Sequence, residues 1–155
     1  MDKLRDLLNE EIGKQTPELW VKRDDQTGLA FGGNKTRKLE FLMADAISQG
    51  ASCVITDGAA QSNHCRQTVT AAVKAGLKCH LVLGQASEKS NGNLLLNEML
   101  GSEFNWCTRE TRAGVMKKLE DDLRDAGEEP YVIPVDRSNE VGSVGYVVAM
   151  QKMMD

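Results

Sequence analysis

The sequence predicts an α/β fold, a three-layer arrangement of a parallel sheet with helices on both faces. Two observations carry that expectation. Short apolar runs of strand length alternate with longer segments whose apolar residues recur every three or four positions, and glycine closes most of the helical segments. Strands that alternate with helices need crossover connections, which make neighbouring strands parallel and cover both faces of the sheet. At 155 residues the chain has room for one domain, or one domain with a fragment of another.

Residues 2–12 place Leu4, Leu7, Leu8 and Ile12 at helical spacing, and Pro17 breaks that helix. Leu19-Trp20-Val21-Lys22-Arg23 reads as a short strand, and Asp24-Asp25-Gln26-Thr27-Gly28 as a turn. The next helix runs from about Asn34 to Gln49. Leu39, Leu42, Met43, Ala46 and Ile47 form its buried face, Asn34 is the expected N-cap, and Gly50 is the stop. Cys53 to Thr56 is a buried strand, Asp57 to His64 a loop, and Cys65 to Lys74 a helix closed by Gly76. Cys79 to Leu83 is the next strand, and Gly84 to Asn91 a polar loop. Gly92-Asn93 leads into a helix with Leu94, Leu95 and Met99 that Gly101 closes. Glu103 to Cys107 is a weaker strand, and Thr111 to Ala126 a helix followed by Gly127. Pro130 to Val135 is the last strand, and another helix begins at Gly142. That helix has no stop signal. Val144, Val147, Val148, Met150, Met153 and Met154 leave it with an apolar surface, so the chain reads as incomplete.

Composition narrows the classes. A net charge of −4 gives no electrostatic case for nucleic acid or an anionic membrane. No apolar run reaches the length of a membrane span, and the charged first residues do not fit a signal peptide. Cys53, Cys65, Cys79 and Cys107 lie far apart, with no Cys-x-x-Cys and no zinc spacing. They read as reduced, packed thiols of a cytoplasmic protein, and no metal site is expected.

Two stretches can carry chemistry. In Gly32-Gly33-Asn34-Lys35-Thr36-Arg37-Lys38 a glycine pair delivers a lysine to a helix start. Lys35, Arg37 and Lys38 crowd a helix end whose dipole prefers anions, a local rule broken. A free lysine, with a pKa of ~10.4, is protonated at neutral pH; neighbouring cations favour the neutral amine that a Schiff-base nucleophile needs. The second stretch is Asp57 to His64, which follows a buried strand, where open α/β sheets bind ligands. Ser62, Asn63 and His64 offer a hydroxyl, an amide and an imidazole beside N–H groups that suit a carboxylate or phosphate. The plainer reading makes Ser62 and Asn63 helix caps, His64 a partly exposed loop histidine and Lys35 part of a solvated basic turn. A Schiff-base lysine with a carboxylate-gripping turn suits amino-acid chemistry on pyridoxal phosphate.

The run from Trp20 to Leu42, WVKRDDQTGLAFGGNKTRKLEFL, resembles the lysine motif of the D-cysteine desulfhydrase and 1-aminocyclopropane-1-carboxylate deaminase family. These are pyridoxal-phosphate enzymes of the tryptophan-synthase-β fold group. Gln61-Ser62-Asn63-His64 with Arg66 resembles their second motif. Gly92-Asn93-Leu94-Leu95-Leu96 and Ser138-Asn139 to Gly145-Tyr146 follow in the family's order. The resemblance implies that Lys35 is catalytic and carries the cofactor, and that Ser62 is catalytic. It also implies that Asn63 contacts the cofactor, and that Ser62, Asn63 and His64 bind the substrate. His64 leans toward desulfhydrases. The implied reaction is β-elimination of D-cysteine to pyruvate, sulfide and ammonia.

The resemblance further implies that residues 1–38 belong to a larger cofactor domain, 39–138 to a small α/β domain, and 139–155 to the return into the larger one. Family members are longer, and their phosphate-cradling loop lies beyond the region matched here. Where they have Gly-Gly before Ser-Asn, this chain has Asp136-Arg137. A homodimer or a complementary C-terminal chain is the expected partner, beside a small amino-acid substrate. The alternatives are a deaminase of the cyclopropane amino acid, a non-catalytic remnant, and one half of a split enzyme.

Overall fold

A computed structural model describes residues 1–84, 90–133 and 139–154. Four parallel strands form one sheet in the order β3-β2-β1-β4: β1 Cys53–Ala59, β2 Lys78–Gly84, β3 Glu103–Cys107 and β4 Pro130–Ile133. The helices are α1 Asp2–Ile12, α2 Thr36–Ser48, α3 Asn63–Lys74, α4 Gly92–Met99, α5 Arg112–Asp125 and α6 Glu140–Met154. This is the α/β arrangement expected from the alternation.

β1 is central, with β2 on one side and β4 on the other, and it is buried from Cys53 to Gly58. Alternate residues of a strand face opposite sides of its sheet. Thr56 meets His64 of α3, whereas Asp57 meets Arg112 of α5, so α3 and α5 lie on opposite faces. On the α3 face, Val54, Cys79, Leu81, Leu83 and Ile133 pack with Leu39, Leu42 and Met43 of α2, Cys65, Val69 and Ala72 of α3, and Leu94 of α4. The four cysteines are unpaired thiols; burial pushes Cys65 up to about 11.

α6 packs on α2 through small residues. A Cβ on Gly145 would lie 2.0 Å from the Arg37 carbonyl oxygen, and Gly142 faces Leu42 and Lys38. Bare helix backbone lets α6 cross close to the start of α2. Its other side carries Val144, Val147, Met150, Met153 and Met154, exposed as the pattern predicts, while Val148 is half-buried.

Several boundaries differ from the expectations. Residues 19–23 form no strand: Trp20 is 87% exposed and Val21 53%, and among the described residues no strand takes their backbone groups. A short 3-10 turn, Asp24–Gln26, follows instead. β1 continues through Asp57, Gly58 and Ala59, because β2 pairs along its full length. α3 begins at Asn63, so Asn63 and His64 stand in a first helical turn rather than a loop. α6 starts at Glu140, since Asn139 Oδ1 accepts the Gly142 N–H at 2.9 Å. The expected Asp136-Arg137 turn, the end of the last strand and most of the loop before Asn91 lie outside the described residues.

Candidate functional site

The order β3-β2-β1-β4 places chain on both sides of β1, and ligands in open α/β sheets bind beyond the carboxyl ends of strands at such a reversal. β1 ends at Ala59, and Ser62 follows as the N-cap of α3. Its Oγ accepts the Cys65 N–H at 3.3 Å. Gly58 leaves room for this turn, because a Cβ there would lie 2.6 Å from Cys65 Sγ and 3.1 Å from Ser62 Oγ. The N–H groups of Asn63 and His64 have no intrahelical partner by helix geometry, so they favour an anion beyond the helix start. Asn63 is exposed and Ser62 half-buried, both reachable from solvent.

His64 is 2% exposed, not the partly exposed loop histidine of the plainer sequence reading. Thr56 Oγ1 donates to the Ile133 carbonyl at 2.6 Å, so at 3.0 Å from His64 Nε2 it accepts, and the ring proton sits on Nε2. Nδ1 then accepts from Thr68 Oγ1 at 3.4 Å. Burial, with Lys38 and Lys35 nearby, pushes the imidazole down to about 3. The ring is neutral at physiological pH and braced on both nitrogens.

Lys35, rather than the expected Asn34, is the N-cap residue of α2, and its side chain makes no cap hydrogen bond. It is half-buried, while Lys38, one turn on, is 3% exposed. The charge crowding expected at this helix start is partly relieved. Asp24 pairs with Arg37 at 2.6 Å, and that bond holds the Asp24 carboxyl below its usual range.

The turn before Lys35 is fixed by neighbours at every residue. The Gly33 N–H donates to the Asp24 carbonyl at 2.7 Å, and Arg66 Nη2 donates to the Gly32 carbonyl at 2.6 Å. Tyr146 of α6 donates its hydroxyl to the Asn34 carbonyl at 3.2 Å. The Thr36 N–H and hydroxyl each donate to Gln67 Oε1 at 3.0 Å. Gly32 must be glycine: its φ is +71°, and a Cβ would lie 1.9 Å from the Asp25 carbonyl oxygen.

The structure therefore brings the two sequence motifs together. Arg66 and Gln67, directly after Ser62-Asn63-His64, hold the turn that presents Lys35. Gln67 was missed in the sequence, where it reads as one polar residue on a helix. Its signal was weak: a long polar side chain at a core position of α3, three residues after His64. Arg112 and Asp57 form a separate ion pair at 3.3 Å on the other face of the sheet. Among the described residues no group of His, Cys, Asp and Glu could hold a metal ion, and no helix is long and apolar enough to cross a membrane.

Comparison with known proteins shows the family and the fold. A D-cysteine desulfhydrase of Klebsiella pneumoniae (strain 342) is 45% identical over 147 residues, covering 90% of this chain and 44% of that protein. A bifunctional D-cysteine desulfhydrase/1-aminocyclopropane-1-carboxylate deaminase of Arabidopsis thaliana, described as mitochondrial, is 42% identical over 88% of this chain and 37% of its own length. The chain thus spans less than half the length of these relatives. The crystal structure of an ACC deaminase homologue superposes with a TM-score of 0.83 at 40% identity, over 96% of this chain and 46% of that one. Maize serine racemase, at 18% identity and a TM-score of 0.66, shares the fold. The family model described as pyridoxal-phosphate dependent enzyme matches residues 4–155, and the chain belongs to that family.

Proposed function

We propose that this chain carries the lysine-bearing part of an enzyme that eliminates sulfide from D-cysteine. One D-cysteine and one water give pyruvate, ammonia and hydrogen sulfide. The observation that carries the reading is the mutual fixing of Lys35 and the Ser62-Asn63 turn across two helix starts. These residues fit pyridoxal phosphate by their chemistry. An accessible primary amine matches an aldehyde, and the free N–H groups of α3 match a carboxylate. When bound, pyridoxal phosphate supplies an electron sink for the carbanion at the substrate Cα.

The chain's own residues do the rest. Lys35 holds the cofactor covalently and, once displaced, its Nζ can take the Cα proton. Ser62 and Asn63 receive the substrate carboxylate, and Asn63 also reaches toward the cofactor ring. His64 stands beneath that turn as a neutral wall braced by Thr56 and Thr68. In this reading residues 39–138 act as the small domain, with 1–38 and 139–155 joining the cofactor domain. The exposed apolar side of α6 is where a second copy or a complementary C-terminal chain would sit. We infer a cytoplasmic setting, which the four unpaired cysteines support.

Deamination of 1-aminocyclopropane-1-carboxylate is the second reading, favoured by the 40% identity to the ACC deaminase homologue. The discriminating test offers both amino acids to the purified chain with pyridoxal phosphate. Sulfide and pyruvate released from D-cysteine support the first reading. Ammonia from the cyclopropane acid without sulfide from D-cysteine supports the second. No turnover of either, by a folded chain, leaves a non-catalytic remnant or a half that needs a partner. Ser62→Ala removes the cap of α3, at about 1 kcal/mol of stability. It is expected to raise KM for the amino acid about tenfold, as loss of a hydrogen bond to a charged group does, while linkage at Lys35 persists. Steady-state kinetics beside a cofactor titration checks this.

A further inference from the structure

Gln67 is fully buried, yet every polar atom of its carboxamide is used. The Thr36 N–H can only donate, so the oxygen must face it, which settles the orientation of the amide. That oxygen takes a second bond from the Thr36 hydroxyl, and Nε2 donates to the Asn63 carbonyl at 3.2 Å. One side chain thus joins the first turn of α2, next to Lys35, to the first turn of α3, next to Ser62. Thr36 and Gln67 are 31 residues apart in sequence. Gly33 makes the approach possible, because a Cβ there would lie 2.3 Å from Gln67 Nε2. A buried glutamine contributes less apolar packing than leucine, so packing alone does not account for it.

We infer that Gln67 is the positioning residue that sets Lys35 against the Ser62-Asn63 turn, so that the amine and the anion-binding N–H groups keep one separation. The inference rests on the proposed function for what Lys35 does, and on the hydrogen bonds alone for where it is held. Gln67 touches neither substrate nor cofactor; it acts through Thr36 and Asn63. The two ends of the carboxamide make separable contributions. Gln67→Glu keeps an acceptor for Thr36, and its negative charge suits the start of α2. It loses the donor to Asn63. Gln67→Leu keeps the bulk and loses both.

The test uses the full chain and two readouts. The first is hydrogen exchange of the backbone amides at 34–37, which needs no cofactor. The second is the rate at which pyridoxal phosphate is trapped on Lys35 by borohydride, followed by peptide mass. Gln67→Leu is expected to speed exchange at Thr36 and to slow trapping, each about tenfold, the scale of one lost buried hydrogen bond or more. Gln67→Glu is expected to restore both to within about threefold of wild type, a rescue that a filler of space would not show.

Unchanged exchange in Gln67→Leu overturns the inference. So does faster exchange with unchanged trapping, which would leave Gln67 a purely structural residue. Absence of trapping on Lys35 in the wild-type chain contradicts the proposed function instead, and the exchange data still decide whether Gln67 holds the turn. Should Gln67→Leu lose its far-UV dichroism, Gln67→Met, similar in length and lacking the acceptor, takes its place with the same expected outcome.

Discussion

Lys35→Ala abolishes the visible absorbance band that pyridoxal phosphate produces on linking to the chain. The reason is positional as much as chemical. Nineteen Lys and Arg residues are present, and many lysines are exposed. Any exposed amine meets the aldehyde in passing, but a free lysine is almost wholly protonated at neutral pH and has nothing to retain the product. Lys35 differs in standing at a turn held at Gly32, Gly33, Asn34 and Thr36 by three separate elements of the fold, the Asp24–Gln26 turn, α3 and α6. Fixing the backbone that bears the amine in advance removes entropy that a loose segment would lose on linkage. Lys38, the next lysine, is 3% exposed and faces α6, so it does not substitute. The half-buried Lys35 side chain makes no cap hydrogen bond, and its removal is expected to change stability by no more than about 0.5 kcal/mol. Absorbance titrations of both chains, with unfolding curves beside them, check both parts. An equal band in Lys35→Ala would remove the lysine assignment.

His64 makes the chain acid-sensitive. Its imidazole is pushed down to about 3 from the ordinary 6.5, first by burial and then by Lys38 and Lys35. Above pH 6.5 the ring is neutral whether the chain is folded or not, and it contributes no pH dependence. Between 6.5 and 3 the unfolded chain binds a proton that the folded chain refuses, so stability falls as pH falls. The full extent is about 4 kcal/mol by pH 3, a large part of the stability of a domain this size. Carboxylates held low by partners add their own acid loss at lower pH: Asp24 through its bond to Arg37 and Glu128 through its bond to Lys78. The difference between wild type and His64→Gln cancels those groups. Unfolding by urea from pH 7 to 4 is expected to show a steeper decline in wild type, the gap closing as pH falls. Parallel declines would mean that the ring takes up its proton without cost in the fold.

The parts that the sequence made legible are those set by local rules. Alternation gave the strands and helices, Gly50, Gly76, Gly101 and Gly127 marked the ends of helices, and Gly32-Gly33 ahead of Lys35 marked a helix start. The parts it hid are set by contacts across the fold. The apolar run at 19–23 has the composition of a strand, but pairing decides, and no described strand pairs with it. Asp57 and Gly58 read as turn residues, yet β2 pairs with them and draws them into β1. His64 looked exposed because nothing local says that Thr56 and Thr68 will enclose it. Asn34 looked like a cap because its side chain suits that role, but the cap position fell to Lys35, and the first N–H of α2 found its acceptor in Gln67, far along the chain. For the same reason Gln67 escaped notice: its meaning lies in a partner 31 residues away.

The central claim is that Lys35 is the amine on which pyridoxal phosphate is held. The most direct measurement reduces the wild-type chain with borohydride in the presence of pyridoxal phosphate at near-equal concentration and maps the modified peptide by mass. A single pyridoxyl group on Lys35 is the predicted result. A label spread over exposed lysines, or settled on another one, would contradict it.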